Sequence, residues 1–349
     1  MKIAIDISPL QTEHKVRGVG FYLENLKRAL LKYHKENEYL FFVPGEKLPK
    51  DIDIIHFPYF EPFFLALPLY NKNKTVVTVH DLTPIVFPDA FPRGIKGEVK
   101  WQMQRLALKK ANRIITDSKS SKKDVIKYIG VKDSLIDVVY LAAGEEFRLI
   151  KDSEDRLLTL RKKYNLPEKF ALYVGDVTWN KNLPRLIDAI KTTNISLVMV
   201  GKNLVNENYD RNNPWNHDLN RINELAKDDK RIIRLGFVES DDLVSIYNAA
   251  TVFVMPSLYE GFGLPILEAQ ACGCPVITTK EGSLKEVAFD SAYFVDGYDY
   301  KSIAEGIEKV FNSSALQQEL REKGFENARK YSWEKTAEKT IQSYKATTE

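Results

Sequence analysis

Short, nearly continuous apolar runs alternate along the chain with stretches whose apolar residues recur every three or four positions. The first pattern marks strands buried on both faces, the second the inner stripe of a helix. In the first half the runs predict strands at Lys2–Ile7, Tyr39–Val43, Ile52–His56, Thr75–His80, Arg113–Thr116 and Ile136–Tyr140. Phe21, Leu23, Leu26, Ala29 and Leu30 set the period of a helix over about Gly18–Lys35. A second helix is expected near Lys96–Ala111, and Ser118 is placed to cap a third that ends near Gly130. The second half repeats the scheme. Strands are expected at Phe170–Gly175, Ser196–Val200, Arg231–Leu235, Thr251–Pro256, Pro275–Thr278 and Ala292–Val295. Helices fall at about Leu183–Lys191, Asp218–Lys227, Asp241–Asn248, Pro265–Cys272, Lys301–Asn312 and Ala315–Lys330, and Trp333–Lys345 is helical by pattern.

Strands that alternate with helices build parallel sheets, because each parallel pair needs a crossover. The expected fold is α/β, with two Rossmann-like parallel-sheet domains facing a cleft. The domains are expected over residues 1–150 and 165–330, joined by a linker at about Ala143–Lys169. A charged run from Lys151 to Arg156 in that linker reads as a solvated helix face. Ligands of such sheets bind outside the carboxyl ends of the strands, so the cleft is the default site.

Composition and charge narrow the picture. A chain of 349 residues suits two domains and buries enough surface to need no disulfide or metal staple. Cys272 and Cys274 form neither a disulfide framework nor a four-ligand zinc site, and read as two small buried residues. Asp6 interrupts the apolar start, and no window reaches the ~20 apolar residues of a spanning helix. A cytoplasmic location is therefore expected. A net charge of +3 is too small to imply nucleic acid. Residues 1–150 are the more basic part, with 24 Lys+Arg against 18 Asp+Glu. That balance suits an anionic partner or a membrane surface, and is also within ordinary variation. The aromatic loop Phe57-Pro58-Tyr59-Phe60-Glu61-Pro62-Phe63-Phe64 leaves three roles open: receiving an acceptor, touching a membrane, or packing on its own domain.

The strongest chemical signal is Glu260-Gly261-Phe262-Gly263-Leu264-Pro265-Ile266-Leu267-Glu268, which follows a strand and opens a helix. Gly261 and Gly263 let the backbone approach a ligand closely, and Pro265 suits a first helical turn. The free N–H groups there make an anion site. Glu260 and Glu268 add carboxylates for sugar hydroxyls. A helix cap with an ordinary surface glutamate has the same letters.

This segment resembles the glutamate–seven residues–glutamate signature of retaining glycosyltransferases of family 4, which have the GT-B fold. The resemblance extends to Arg17-Gly18-Val19-Gly20, His80-Asp81-Leu82-Thr83-Pro84, Lys181-Asn182, Gly282-Ser283 with Glu286, and Tyr331-Ser332-Trp333. It implies transfer of a hexosyl group from a nucleotide-sugar to a hydroxyl of a glycan or lipid-linked acceptor, with possible contact at a membrane surface. It implies that Glu260 contacts the donor sugar, that Gly263 and Leu264 offer N–H groups to the diphosphate beside Gly261 and Phe262, and that Glu268 binds the ribose. Lys181 would neutralise the leaving diphosphate, and Phe237 and Val238 would lie beside the base. His80 would lie near the donor sugar or the acceptor, and Gly18 and Gly20 would let their loop close on the phosphates, with Arg17 as a further cation. Residues 331–349 would form a helix crossing back to the first domain. The His80 stretch resembles mannosyltransferases most, which favours GDP-mannose over UDP-sugars.

One departure concerns the phosphates. Many relatives carry an arginine where this chain has Asp176 or Asn180. None of the five histidines has metal-ligand spacing, and Asp51 and Asp53 precede a strand instead of following one. No metal and no cofactor are expected. A nucleotide-sugar epimerase or a non-catalytic sugar-nucleotide-binding protein shares these features. A phosphorylase would need a cofactor-anchoring lysine that is not identifiable. A dehydrogenase is disfavoured, because no Gly-x-Gly-x-x-Gly follows the first strand of either half.

Overall fold

The apolar run at the start of the chain forms β1 (Lys2–Asp6), in which Ile3, Ala4 and Ile5 are buried. It is joined by β2 (Glu38–Phe42), β3 (Ile54–Phe57), β4 (Lys74–Val79), β5 (Arg113–Thr116) and β6 (Ile136–Val138). All six are parallel, in the order β2-β1-β3-β4-β5-β6. The crossovers are α1 (Gly18–Tyr33), α2 (Thr83–Val86), α3 (Gly94–Lys109) and α4 (Lys119–Asp124). Ser118 caps α4 by accepting from the Ser121 N–H at 3.0 Å, and a π-type turn over Val125–Ile129 carries the helix on to Gly130.

The second sheet contains β7 (Ala171–Val174), β8 (Leu197–Val200), β9 (Ile232–Leu235), β10 (Val252–Met255), β11 (Val276–Thr278) and β12 (Tyr293–Phe294). It is also fully parallel, in the order β9-β8-β7-β10-β11-β12. Its helices are α5 (Glu154–Tyr164), α6 (Leu183–Lys191), α7 (His217–Leu225), α8 (Ser240–Ala249), α9 (Leu264–Ala271), α10 (Leu284–Ala288), α11 (Tyr300–Phe311) and α12 (Ser314–Ala328). Part of the core lies where α6, α7 and α11 cover the sheet, around Leu186, Ile187, Leu197, Met199, Ile222 and Ile307. Cys272 and Cys274 are free and buried, and burial pushes the Cys272 thiol up to about 12.

The final helix, α13 (Trp333–Thr348), packs against α1 and the first sheet. The hydroxyl of Thr336 donates to the Tyr140 carbonyl at 2.7 Å. The Tyr344 hydroxyl lies 2.7 Å from His56 Nδ1, and His56 Nε2 lies 2.9 Å from the Thr78 hydroxyl. His56 is completely buried, and burial with the neighbouring His80 pulls it down to about 3, so it is neutral. The first compact unit is thus residues 1–142 with 331–349, and the second is residues 143–330.

The computed structural model describes residues 1–12, 15, 17–69, 71–150 and 154–348. His14 and the Lys151, Asp152 and Ser153 of the charged run lie outside the described residues, while Asp155 and Arg156 are exposed on α5.

Candidate active site

In the second unit the strand order reverses between β7 and β10. Connections leave these neighbours in opposite directions, which opens a crevice at their carboxyl ends. Lys181 follows β7, and Glu260 follows β10. Two asparagines fix the loops to each other. Asn182, in the left-handed region at φ 60°, donates from Nδ2 to the Pro256 carbonyl at 3.0 Å and the Gly297 carbonyl at 2.6 Å. Asn180 donates to the Tyr259 carbonyl at 2.9 Å and accepts from the Leu258 N–H at 2.7 Å. Lys181 Nζ consequently sits 2.8 Å from each carboxylate oxygen of Glu260.

Ser283 holds the next turn, with its hydroxyl 3.0 Å from the Glu260 carbonyl and 2.8 Å from the Phe262 carbonyl. Gly263 then precedes α9 at φ 98°, where a Cβ would lie 2.9 Å from Leu284. Leu264 and Pro265 form the first turn of α9. Backbone N–H groups at a helix start lack partners inside the helix and carry its positive dipole end. Glu268, within α9, is buried and accepts from the Tyr247 hydroxyl at 2.9 Å. Burial pushes its carboxyl up to about 7, with the Tyr247 bond opposing and Glu146 adding to the rise. A fixed ammonium, a helix start and two carboxylates therefore share one end of this sheet.

The position that lacks the arginine is also resolved. Asp176 accepts from the Val177 N–H at 2.9 Å and from Asn203 Nδ2 at 2.6 Å. Phe237 and Val238 follow β9 at the far edge of the sheet. Phe237 is 56% exposed, whereas the Val238 side chain is buried.

In the first unit, His80 follows β4 and Asp117 follows β5. His80 Nδ1 lies 2.6 Å from Asp117, and Nε2 lies 3.1 Å from the Pro58 carbonyl. Acceptors at both ring nitrogens favour the doubly protonated form. Burial pulls the imidazole down, but the Asp117 charge and hydrogen bond, with Asp81 and Pro58, outweigh it and leave His80 raised. The Tyr22 ring packs edge-on at 4.7 Å. Asp117 Oδ1 is buried without a hydrogen-bond partner among the described residues. Glu61 accepts from the Tyr59 hydroxyl at 2.7 Å, and burial pushes it up to about 7, opposed by that bond, reinforced by Asp81 and opposed by Arg17.

Gly18 and Gly20 lie in the first turn of α1, not in a loop before it, and Arg17 is the residue preceding that helix. The aromatic loop is mostly packed, with Phe57, Phe60 and Phe63 buried and Phe64 63% exposed. Tyr247 and Asp117 are absent from the residues that the sequence marks, Asn180 enters there only as a position where relatives carry an arginine, and Glu61 only as part of the aromatic loop. For Asp117 and Glu61 the usable signal was position, since both come just after parallel strands. Among the described residues, no group of three or more His, Cys, Asp or Glu side chains is placed to hold a metal ion.

Residues 158–331 match the family described as Glycosyl transferases group 1, and residues 26–143 match Glycosyltransferase Family 4. The serotype-specific mannosyltransferase WbdA of Escherichia coli is 27% identical over 413 residues, covering 99% of this chain and 48% of its own length. The chain thus spans about half the length of that relative. The O-antigen chain mannosyltransferase B of Escherichia coli is 31% identical over 280 residues, covering 79% of this chain and 71% of its own length. Among solved structures, the sucrose-phosphate synthase of Thermosynechococcus elongatus superposes with a TM-score of 0.78 at 20% identity, covering 99% of this chain and 98% of its own. Anabaena HepE, solved in complex with UDP and glucose, gives 0.71 at 17% identity and covers 98% of both chains. Two parallel Rossmann-like sheets, both family matches and a 31% identical relative with 71% of its length covered lead to one assignment: the chain belongs to the group 1 glycosyl transferases of family 4, with the GT-B fold.

Proposed function

We propose that the chain transfers a hexosyl group from a nucleoside-diphosphate sugar to a hydroxyl of a glycan or lipid-linked acceptor, with retention at the anomeric carbon. The observation that carries this reading is the Lys181–Glu260 pair in the β7/β10 crevice, beside the start of α9 and Glu268. Each part answers a need of the donor. The ammonium and the Gly263 and Leu264 N–H groups suit the diphosphate, with Gly261 and Phe262 shaping the turn. The Glu268 carboxylate suits the vicinal hydroxyls of a ribose, and the Val238 backbone with Phe237 suits the base. Glu260 releases Lys181 to the phosphates and turns to the sugar hydroxyls.

In the transfer, the bond between the anomeric carbon and the diphosphate oxygen breaks, and its electron pair leaves with the phosphate. The acceptor oxygen bonds to the same face of that carbon, and its proton passes to the departing phosphate oxygen. Lys181 and the α9 amides stabilise the growing charge before it forms, the effect that dominates such catalysis. His80, whose two ring N–H groups are directed to Asp117 and the Pro58 carbonyl, acts as a fixed positive charge near the sugar or the acceptor instead of a base. The same donors take the place of a metal ion. The mannosyltransferase names of the Escherichia coli relatives support a mannosyl group and a GDP-linked donor, and the HepE complex supports UDP as the second choice.

The test is thermal stabilisation by GDP, UDP, dTDP and ADP, followed by transfer assays in excess EDTA with the matching sugar. A nucleotide at 100 times its dissociation constant adds about 2.7 kcal/mol. GDP should stabilise most, and product should form with the chelator present. Equal responses to all four, or turnover of the donor to an epimer without an acceptor, would reject the reading.

A further inference from the structure

The first unit carries an apolar face that its own core does not use. On α3, Trp101, Gln104 and Leu108 are buried, whereas Ile95 is 87%, Val99 55% and Leu106 57% exposed. At 100° per residue the three exposed side chains fall within about 40° of arc, roughly half a turn from the buried ones. The β3–β4 loop adds Phe64, Leu65 and Leu69, all exposed. Helix and loop form one surface: Lys100 Nζ lies 5.4 Å from the centre of the Phe64 ring, and Lys110 donates to the Leu69 carbonyl at 3.3 Å. Inside, Gln104 bonds the Leu67 N–H and carbonyl at 2.9 and 3.1 Å.

The charge around this face has one sign. Residues 93–110 hold six Lys or Arg and a single acid, Glu98, which is paired with Arg93. Residues 63–74 add Lys72 and Lys74 and no acid. An aliphatic stripe rimmed by lysines is the composition of a surface helix lying in the headgroup layer of an anionic bilayer. Protein interfaces, by contrast, are depleted in lysine. Among the described residues no helix is long and apolar enough to cross a membrane. We propose that α3 and the Phe64–Leu69 loop seat this unit on an anionic lipid surface. The inference deepens the reading of a lipid-linked acceptor, since it holds the unit where such an acceptor is found.

The test is co-sedimentation with vesicles of phosphatidylcholine alone or with added phosphatidylglycerol, in the absence of donor and acceptor. It stands or falls separately from the transfer reaction. The protein should pellet with the anionic vesicles only. An Ile95→Ser/Val99→Ser/Leu106→Ser variant, and separately a Lys96→Gln/Lys100→Gln variant, should each bind at least tenfold more weakly. Ile95, Lys96, Val99 and Leu106 are exposed and Lys100 is half-buried against Phe64, and circular dichroism checks that both variants fold. No pelleting of the native chain, or full binding by the apolar variant, would overturn the proposal. So would a native dimer that the apolar variant dissolves, because the occupant would then be a second copy.

Discussion

Lys181 shares its charge with both oxygens of Glu260, and both side chains are mostly withdrawn from water. Lys181→Ala removes the proposed phosphate partner and leaves the Glu260 carboxylate without its counter-charge. A charge-assisted hydrogen bond is worth about 1.5–3 kcal/mol, or roughly 10–100-fold in rate. Catalytic efficiency should therefore fall at least tenfold in steady-state kinetics with saturating acceptor. Arg17→Ala should cost less, since Arg17 is exposed at the start of α1. A neutral Lys181→Ala together with an inactive Arg17→Ala would move the phosphate site to the first unit. Residue chemistry of this kind was partly legible. The types and spacing of Glu260, Glu268 and Lys181 stand in the sequence, but their partners do not. That Tyr247 reaches Glu268, or Asp117 reaches His80, depends on which strands become neighbours, and linear spacing carries no record of it.

At the scale of elements, every expected strand forms, because short buried runs between helices leave parallel pairing as the way to satisfy their backbones. The reversal of order at β7 and β10 was not legible, although it is what brings Lys181 and Glu260 together. Glycines at the loop ends show how tightly that junction is built. A Cβ on Gly282 would lie 2.8 Å from the Glu260 backbone N and O, and one on Gly263 would lie 2.9 Å from the Leu284 side chain. Both glycines also occupy left-handed backbone, which costs other residues about 1–2 kcal/mol. Gly282→Ala should be the more damaging, since backbone yields less than a leucine methyl. Gly263→Ala should destabilise by about 2 kcal/mol and weaken nucleotide binding, by shifting the start of α9. Gly18→Ala, with nothing within 4 Å, should be neutral or slightly stabilising. Melting temperatures and calorimetric titration of the three variants give the order, and an equal effect at all three would remove the steric argument.

For the whole molecule, the buried titratable groups set a pH dependence whose sign can be worked out. Glu268 binds its proton up to about 7 in the folded chain, against an ordinary 4.5. Between those values the folded state holds more protons than the unfolded one, so stability falls as pH rises. The full penalty above pH 7 is up to about 3 kcal/mol, from the size of the shift. Glu61 acts in the same direction and window, but keeps part of its surface in solvent and should contribute less. His56 acts oppositely. Held down to about 3 against an ordinary 6.5, it adds stability as pH rises through that range. A Glu61→Gln/Glu268→Gln variant removes only the two carboxyls. Its melting temperature should match the native chain near pH 4.5, rise above it as pH increases, and keep a constant lead beyond pH 7. A lead that is the same at every pH would mean that the carboxyls are not the titrating groups. If Glu268 holds the ribose as proposed, the same variant should bind nucleotide more weakly at pH 8, because the hydroxyls would then lose the ionised carboxylate that costs the empty protein stability. The native chain should in turn lose nucleotide affinity as pH falls below 7, as Glu268 takes up its proton.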